Sequence, residues 1–97
     1  MYQVFLTKSV VKESKKRGKK FKIELAEILQ KLSTNPFTPH AERLSGELHF
    51  VYSYHFNFSG TAFRLAYIIA EKEKKLTVLM VGPRENFYKI LKQKIKG

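Results

Sequence analysis

Two hydrophobic periods divide the chain. Phe21, Leu25, Ile28, Leu29 and Leu32 recur at helical spacing and make one apolar stripe. From Leu48 to Phe58 the period falls to two: Phe50, Tyr52, Tyr54, Phe56 and Phe58 alternate with His49, Val51, Ser53, His55 and Asn57. The pattern predicts a strand over Tyr2–Leu6 and helices over Thr7–Lys16 and Lys19–Ser33, broken at Gly18. Val10 and Val11 are the expected anchors of the first helix. Asn35-Pro-Phe-Thr-Pro39 ends the helical pair. Three strands follow, Leu48–Phe58, Thr61–Ala70 and Leu76–Val81, separated by Ser59-Gly60 and by the charged turn Glu71–Lys75. Gly82-Pro83 is expected to stop the last of them. A final helix, Glu85–Lys96, turns Phe87, Ile90, Leu91 and Ile95 inward. The order β-α-α-β-β-β-α, with short turns between consecutive strands, predicts an α+β domain: a small antiparallel sheet with the helical pair on one face. The bulky aromatic face of the first long strand is expected to lie beneath those helices rather than to serve as a base-stacking platform.

Ninety-seven residues suit one domain, 1–97, and 43% hydrophobic content supports a packed core. Charge changes the picture more than size does. Nineteen Lys+Arg against eight Asp+Glu give +11, which favours a polyanionic partner: nucleic acid, an anionic membrane or an acidic protein. The run Lys8–Lys22 holds eight basic residues and one acid, Glu13. Lys12, Lys15, Lys16, Arg17, Lys19 and Lys20 read equally as a solvated helix face or as a footprint for phosphate backbones. No cysteine is present, so disulfides and thiolate chemistry are excluded. No apolar run approaches a membrane span or a signal peptide, and the expected location is the cytoplasm, with no membrane partner.

Candidate chemistry concentrates in the last third. Arg64 lies inside the apolar segment Thr61–Ala70, and Arg84 lies just past Leu76–Gly82, with Tyr88 four residues on. Charge is kept out of such segments unless it is paired or faces a cleft, so two guanidiniums and a phenol there point to a phosphate grip. Of the three histidines, His40 reads as a loop residue. His49 and His55 would share a strand face about 20 Å apart, too far to act as a pair. His55 gains interest from sharing a face with Arg64. No metal-ligand spacing, Gly-rich phosphate loop or carboxylate pair occurs, so neither metal nor other cofactor is expected.

Leu44-Ser-Gly46, Phe63-Arg-Leu-Ala-Tyr67, Leu79-Met-Val-Gly-Pro-Arg84 and Phe87-Tyr-Lys89, in that order after a strand-helix-helix start, resemble the RelE/ParE superfamily of toxins from bacterial toxin–antitoxin systems. The likeness covers nearly the whole chain. It implies cleavage of mRNA in the ribosomal A site for RelE-like members and inhibition of DNA gyrase for ParE-like members. It implies that Arg64 and Arg84 are the phosphate-contacting arginines and Tyr88 the tyrosine of the last helix. Where RelE carries two lysines on the second strand, a gap-free count here reaches His55 and Asn57. That removes two charges and supplies an acid–base group. Relatives with a glutamate ahead of the Leu-x-Gly turn give loose support to Glu42 or Glu47.

The implied reaction uses the RNA 2′-hydroxyl as internal nucleophile and needs no metal. His55 is the leading base, Arg64 holds the phosphate, and Arg84 meets transition-state charge or protonates the leaving group. Tyr88 orients or stacks on a base. Asn57 and the lysine-rich run would contact RNA or ribosome. The resemblance also implies a cognate antitoxin, with an acidic flexible segment matching the basic body. Gyrase inhibition, or non-catalytic binding of RNA or ribosomes, are the alternatives. Nothing in the sequence bears on oligomeric state.

Overall fold

The computed structural model describes residues 1–96. β1 (Gln3–Leu6) leads into α1 (Lys8–Arg17) and α2 (Lys19–Thr34). A short strand β2 (Ala41–Arg43) and a 3-10 turn (Gly46–Leu48) follow. Then come β3 (Tyr52–Phe58), β4 (Thr61–Ala70), β5 (Lys75–Pro83) and α3 (Phe87–Lys96). One sheet runs in the order β1-β5-β4-β3-β2. The α+β architecture is the expected one, a strand meander with the helical pair on one face. Two features lay outside the pattern. β1 pairs with β5 in parallel, so the sheet is mixed rather than wholly antiparallel, with the helical pair lying between β1 and the meander in the chain. β2 is three residues long, too short to show a period, and it owes its strand character to pairing with β3 at Ala41↔Tyr54, Glu42↔Ser53 and Arg43↔Tyr52.

Gly18 separates the two helices at φ 101°, ψ −177°, a backbone region that is essentially glycine's alone. The break lets α1 and α2 both lie on the sheet. α2 buries Phe21, Leu25, Ile28 and Leu32, the expected stripe, whereas α1 buries Val10 and leaves Val11 exposed. Thr7 stands at the N-cap of α1, but its hydroxyl does not cap the helix. It donates to Leu79 O at 2.9 Å and ties the helix start to β5. Phe21 is fully buried in an aromatic layer, with ring centroids 5.1 Å from Phe58, 5.2 Å from Phe63 and 6.3 Å from Phe56. Tyr67 lies in the same layer, and its hydroxyl donates to Pro36 O at 2.6 Å, anchoring the loop that leaves α2. Burial, and then Tyr52 and Tyr54, push this hydroxyl above the usual tyrosine range, so it stays a donor.

One irregularity decides the two faces of the sheet. Pairing shifts between Ala66↔Met80 and Tyr67↔Val78, so Leu79 is an extra residue in β5. Val78 and Val81 are three apart and would face opposite sides of a regular strand; the bulge puts both in the core under the helices. It also turns Met80 and Gly82 to the other side.

That second face is not bare. Phe87 and Leu91 of α3 pack there on Leu48, Val51, Ala66 and Met80 as a smaller core. Ile90 and Ile95, expected inward, are exposed, because α3 meets the sheet along the narrow Phe87/Leu91 edge alone. The strand expected from Leu48 begins at Tyr52. His49 and Phe50 sit in a turn closed by Val51 N–H to Leu48 O at 2.9 Å, which leaves Phe50 44% exposed and His49 off the strand face it was expected to share with His55.

Phe21→Ala is expected to lower the unfolding free energy by about 3–5 kcal/mol, the usual cost of emptying a buried aromatic site. Gly18→Ala should cost about 1–3 kcal/mol through backbone strain, since nothing lies within 4 Å of the added methyl. Urea unfolding measures both; a Gly18→Ala midpoint equal to the parent's, at unchanged slope, would show that the break carries no strain.

Candidate functional site

The open end of the second face carries the polar residues. Cross-strand register places His55 opposite Arg64, and Arg64 opposite Gly82. The adjacent row sets Asn57 opposite Ala62, whose carbonyl accepts the Arg84 backbone N–H at 2.9 Å. Ser53 and Ala66 form the row on the other side. The neighbours of Arg64 on this face are small, so its long side chain has room to lie across the sheet. The extra residue at Leu79 sets the parity that puts Gly82, and then Arg84 just past the end of β5, on this side rather than Val81 and Pro83.

Arg64 is the hub. Its Nη1 is within hydrogen-bond reach of His55 Nε2 and donates to Tyr88 Oη at 3.2 Å. The guanidinium carbon stands 5.5 Å from the centroid of the Tyr88 ring. The Tyr88 hydroxyl donates onward to Oγ of the fully buried Ser53 at 3.3 Å. On the far side, Glu42 Oε1 lies 3.4 Å from His55 Nε2. Glu42, His55, Arg64, Tyr88 and Ser53 thus form one polar chain drawn from β2, β3, β4 and α3.

Arg64 is only half satisfied. Its Nε is buried and has no hydrogen-bond partner, and among the described residues neither Arg64 nor Arg84 forms an ion pair with a carboxylate. A guanidinium has five donors in a fixed fork, and this one leaves part of them unused. His55, Asn57, Ala62, Arg64 and Arg84 line an open hollow of about 210 Å³.

His55 titrates below its ordinary value of 6.5. Partial burial is the main cause and the Arg64 guanidinium the second, and together they outweigh the upward pull of Glu42. The imidazole is therefore neutral at pH 7. With Nε2 accepting from Arg64, the ring proton sits on Nδ1. Glu42, 3.4 Å from Nε2, would stabilise the protonated ring.

Of the residues singled out in the sequence, Arg64 contacts both His55 and Tyr88. Arg84 and Asn57 share the hollow with His55 and Arg64. Lys12, Lys15, Lys16, Arg17, Lys19 and Lys20 are all exposed on the helical layer, across the sheet from this cluster. Arg17 is partly engaged, its Nε donating to Glu13 Oε2 at 2.7 Å. The sequence reading missed Ser53, although it lies two residues before His55 and so on the same face. It also missed how Glu42 enters, because β2 was not legible.

This chain matches a protein family described as ParE-like toxin of type II bacterial toxin–antitoxin system, over residues 4–92. Its fold is similar to a double arginine-to-alanine mutant of the Escherichia coli toxin RelE in the free state. That likeness has a TM-score of 0.75 at 19% identity and covers 98% of this chain and 95% of that one. It is similar also to chains of the RelE–RelB complex from the archaeon Pyrococcus horikoshii (0.64, 24% identity, 87% and 96% covered) and of a RelBE toxin–antitoxin complex from Mycobacterium tuberculosis (0.60, 24%, 86% and 98%). No curated protein matches.

NMR titration of the His55 ring should give a midpoint below 6.5 in the parent. Glu42→Gln should move it lower by removing the one stabilising anion, and Arg64→Gln should move it higher by removing the repelling cation. A midpoint unmoved by both changes would mean that the chain of contacts is not formed in solution.

Proposed function

The chain belongs to the ParE-like toxin family of type II bacterial toxin–antitoxin systems, and on that footing we propose that it is a ribosome-dependent mRNA endonuclease. The observation that carries this reading is the neutral His55 held against an arginine with unused donors, beside a second arginine. An RNA phosphate entering the hollow meets the free edge of Arg64. It competes for the guanidinium and releases His55 Nε2. That nitrogen takes the proton of the adjacent 2′-hydroxyl, and the 2′-oxygen attacks phosphorus. Arg64 and Arg84 meet the charge on the five-coordinate phosphate, and Glu42 favours the imidazolium that has formed. The bond to the 5′-oxygen breaks, and that oxygen takes a proton from solvent. The products are a 2′,3′-cyclic phosphate and a 5′-hydroxyl. Tyr88, held by Ser53, keeps Arg64 in place and offers its ring to a base.

The partners in this reading are mRNA on the ribosome, contacted by Asn57 and the lysine-rich helices, and a cognate antitoxin with an acidic, flexible segment. A second reading, inhibition of DNA gyrase, is favoured by the ParE-like description of the family. It gives no work to a neutral histidine against Arg64. Neither reading needs a membrane, and no helix among the described residues is long and apolar enough to cross one.

On programmed ribosomes the purified protein should cut mRNA. Arg64→Ala or Arg84→Ala should lower the rate by about 100- to 1000-fold, the usual cost of losing a preorganised charge contact. His55→Ala and Tyr88→Ala should be milder. The parent rate should fall on the acid side with a midpoint below 6.5, since protonating His55 removes the base. Intact mRNA together with gyrase trapped on broken DNA would replace this reading with the second.

A further inference from the structure

The hollow at Arg64 does not end at Arg84. Thr61, Ala62, Pro83, Arg84 and Glu85 line a second depression beside it, and Thr61 is shared in turn with a third, of about 410 Å³. That third pocket lies where the junction of α1 and α2 meets the tip of the β3–β4 hairpin. It is lined by Lys16, Arg17, Phe58, Ser59, Thr61 and Phe63. The Arg17 guanidinium lies 4.9 Å from the centroid of the Phe63 ring, and its bond to Glu13 uses Nε alone. Lys16 and Arg17 have neighbours in sequence that are equally basic, but they are the residues of the run that line this pocket.

We infer that single-stranded RNA leaving the Arg64 hollow passes over Thr61 at the hairpin tip and enters this pocket, where Lys16 and Arg17 bind its phosphates and an unstacked base lies against Phe58. The inference rests on the RNA reading of the Arg64 site. Two facts support it. The depressions share lining residues, so the path is continuous round the end of the sheet. The pocket pairs two cations with a half-exposed ring and the exposed residues Ser59 and Thr61, the combination that holds a splayed nucleotide. The path carries mixed charge in its middle, where Glu85 lies beside Arg84, and becomes basic at the third pocket, where Arg17 keeps its Nη donors while its Nε holds Glu13. The other lysines of the run are exposed but do not line this pocket, and they contribute a general positive field.

Fluorescence anisotropy with 2′-O-methyl oligonucleotides, which cannot be cut at the 2′-oxygen, tests this without reference to cleavage. The octanucleotide should bind at least about tenfold tighter than the trinucleotide, since it gains two phosphate contacts and one stacked base. Lys16→Gln with Arg17→Gln should erase that advantage. It should also reduce the salt dependence of octanucleotide binding by about 1.4 in log–log slope, two single-strand phosphates' worth. Lys16→Glu alone, at an exposed residue, should weaken the octanucleotide and spare the trinucleotide, and Lys31→Gln should change neither. Equal affinity for both lengths, or a length advantage that survives the double substitution, would overturn the path. So would tighter binding of a duplex of the same length. Failure to cut mRNA on ribosomes would sink the enzyme reading while this comparison still returned its own answer.

Discussion

The extra residue at Leu79 is the constraint on which the two faces depend. Side chains on a strand alternate strictly, so a shift of one position exchanges every later residue between faces. Leu76 and Val78 point toward the helices. In a regular strand Met80, Gly82 and Arg84 would follow them into the aromatic core, and Val81 would be left on the polar side. The bulge reverses the parity midway. Val81 joins the core, Met80 joins the smaller core beneath α3, and the strand delivers Arg84 next to Arg64. The hydroxyl of Thr7 on the Leu79 carbonyl fastens the irregular residue from the first layer. A local defect in the ladder, rather than a loop, thus positions one of the two arginines.

The second consequence concerns the cost of the site. A half-buried guanidinium without a carboxylate partner is not what a stability-optimised sheet would carry at its centre. Here the usual compensation is withheld. The neighbours of Arg64 are a neutral imidazole, a phenol and small side chains, and one of its nitrogens is buried without a partner. The same arrangement lowers the proton affinity of His55, because cation and burial act in one direction. An anion entering the hollow would relieve both effects at once. The fold supplies the rigidity this needs by placing the two residues on neighbouring strands in direct register, backed by twelve buried core residues on the far side of the sheet.

The basic charge is spread over two layers with different duties. The helical layer holds an exposed run of lysines above an apolar stripe, a distribution that serves solubility and long-range attraction alike. On the site face the sheet places Arg64 and Arg84 individually, while α3 adds the exposed Lys89, Lys92 and Lys94. The two meet at the end of the molecule where Gly18 breaks the helices and Ser59-Gly60 turns the hairpin. Both turns use positive φ: 101° at Gly18, 49° at Ser59 and 78° at Gly60.

Much of this was legible in the residues. The stripe of α2 and the aromatic alternation of β3 are repeats long enough for burial to leave a clear period. They determined the element order, the layer arrangement and the fact that His55 and Arg64 oppose the aromatic face. The short motifs around Arg64, Arg84 and Tyr88 pointed to the family. Tertiary structure decided the rest, for one physical reason: pairing and packing between distant segments leave no local period. β2 exists because β3 offers it an edge, and only that pairing brings Glu42 to His55. β1 pairs in parallel with β5, the strand farthest from it in the chain. Val11, Ile90 and Ile95 are as apolar as their buried neighbours, yet they lie exposed where their helices touch the sheet along too narrow a line to cover them, and Phe50 is exposed in the turn before β3. The bulge at Leu79 was hidden in a uniformly apolar run, where either parity reads the same. Composition set the chemistry available to this protein; contacts between residues far apart in the chain set which of those groups meet.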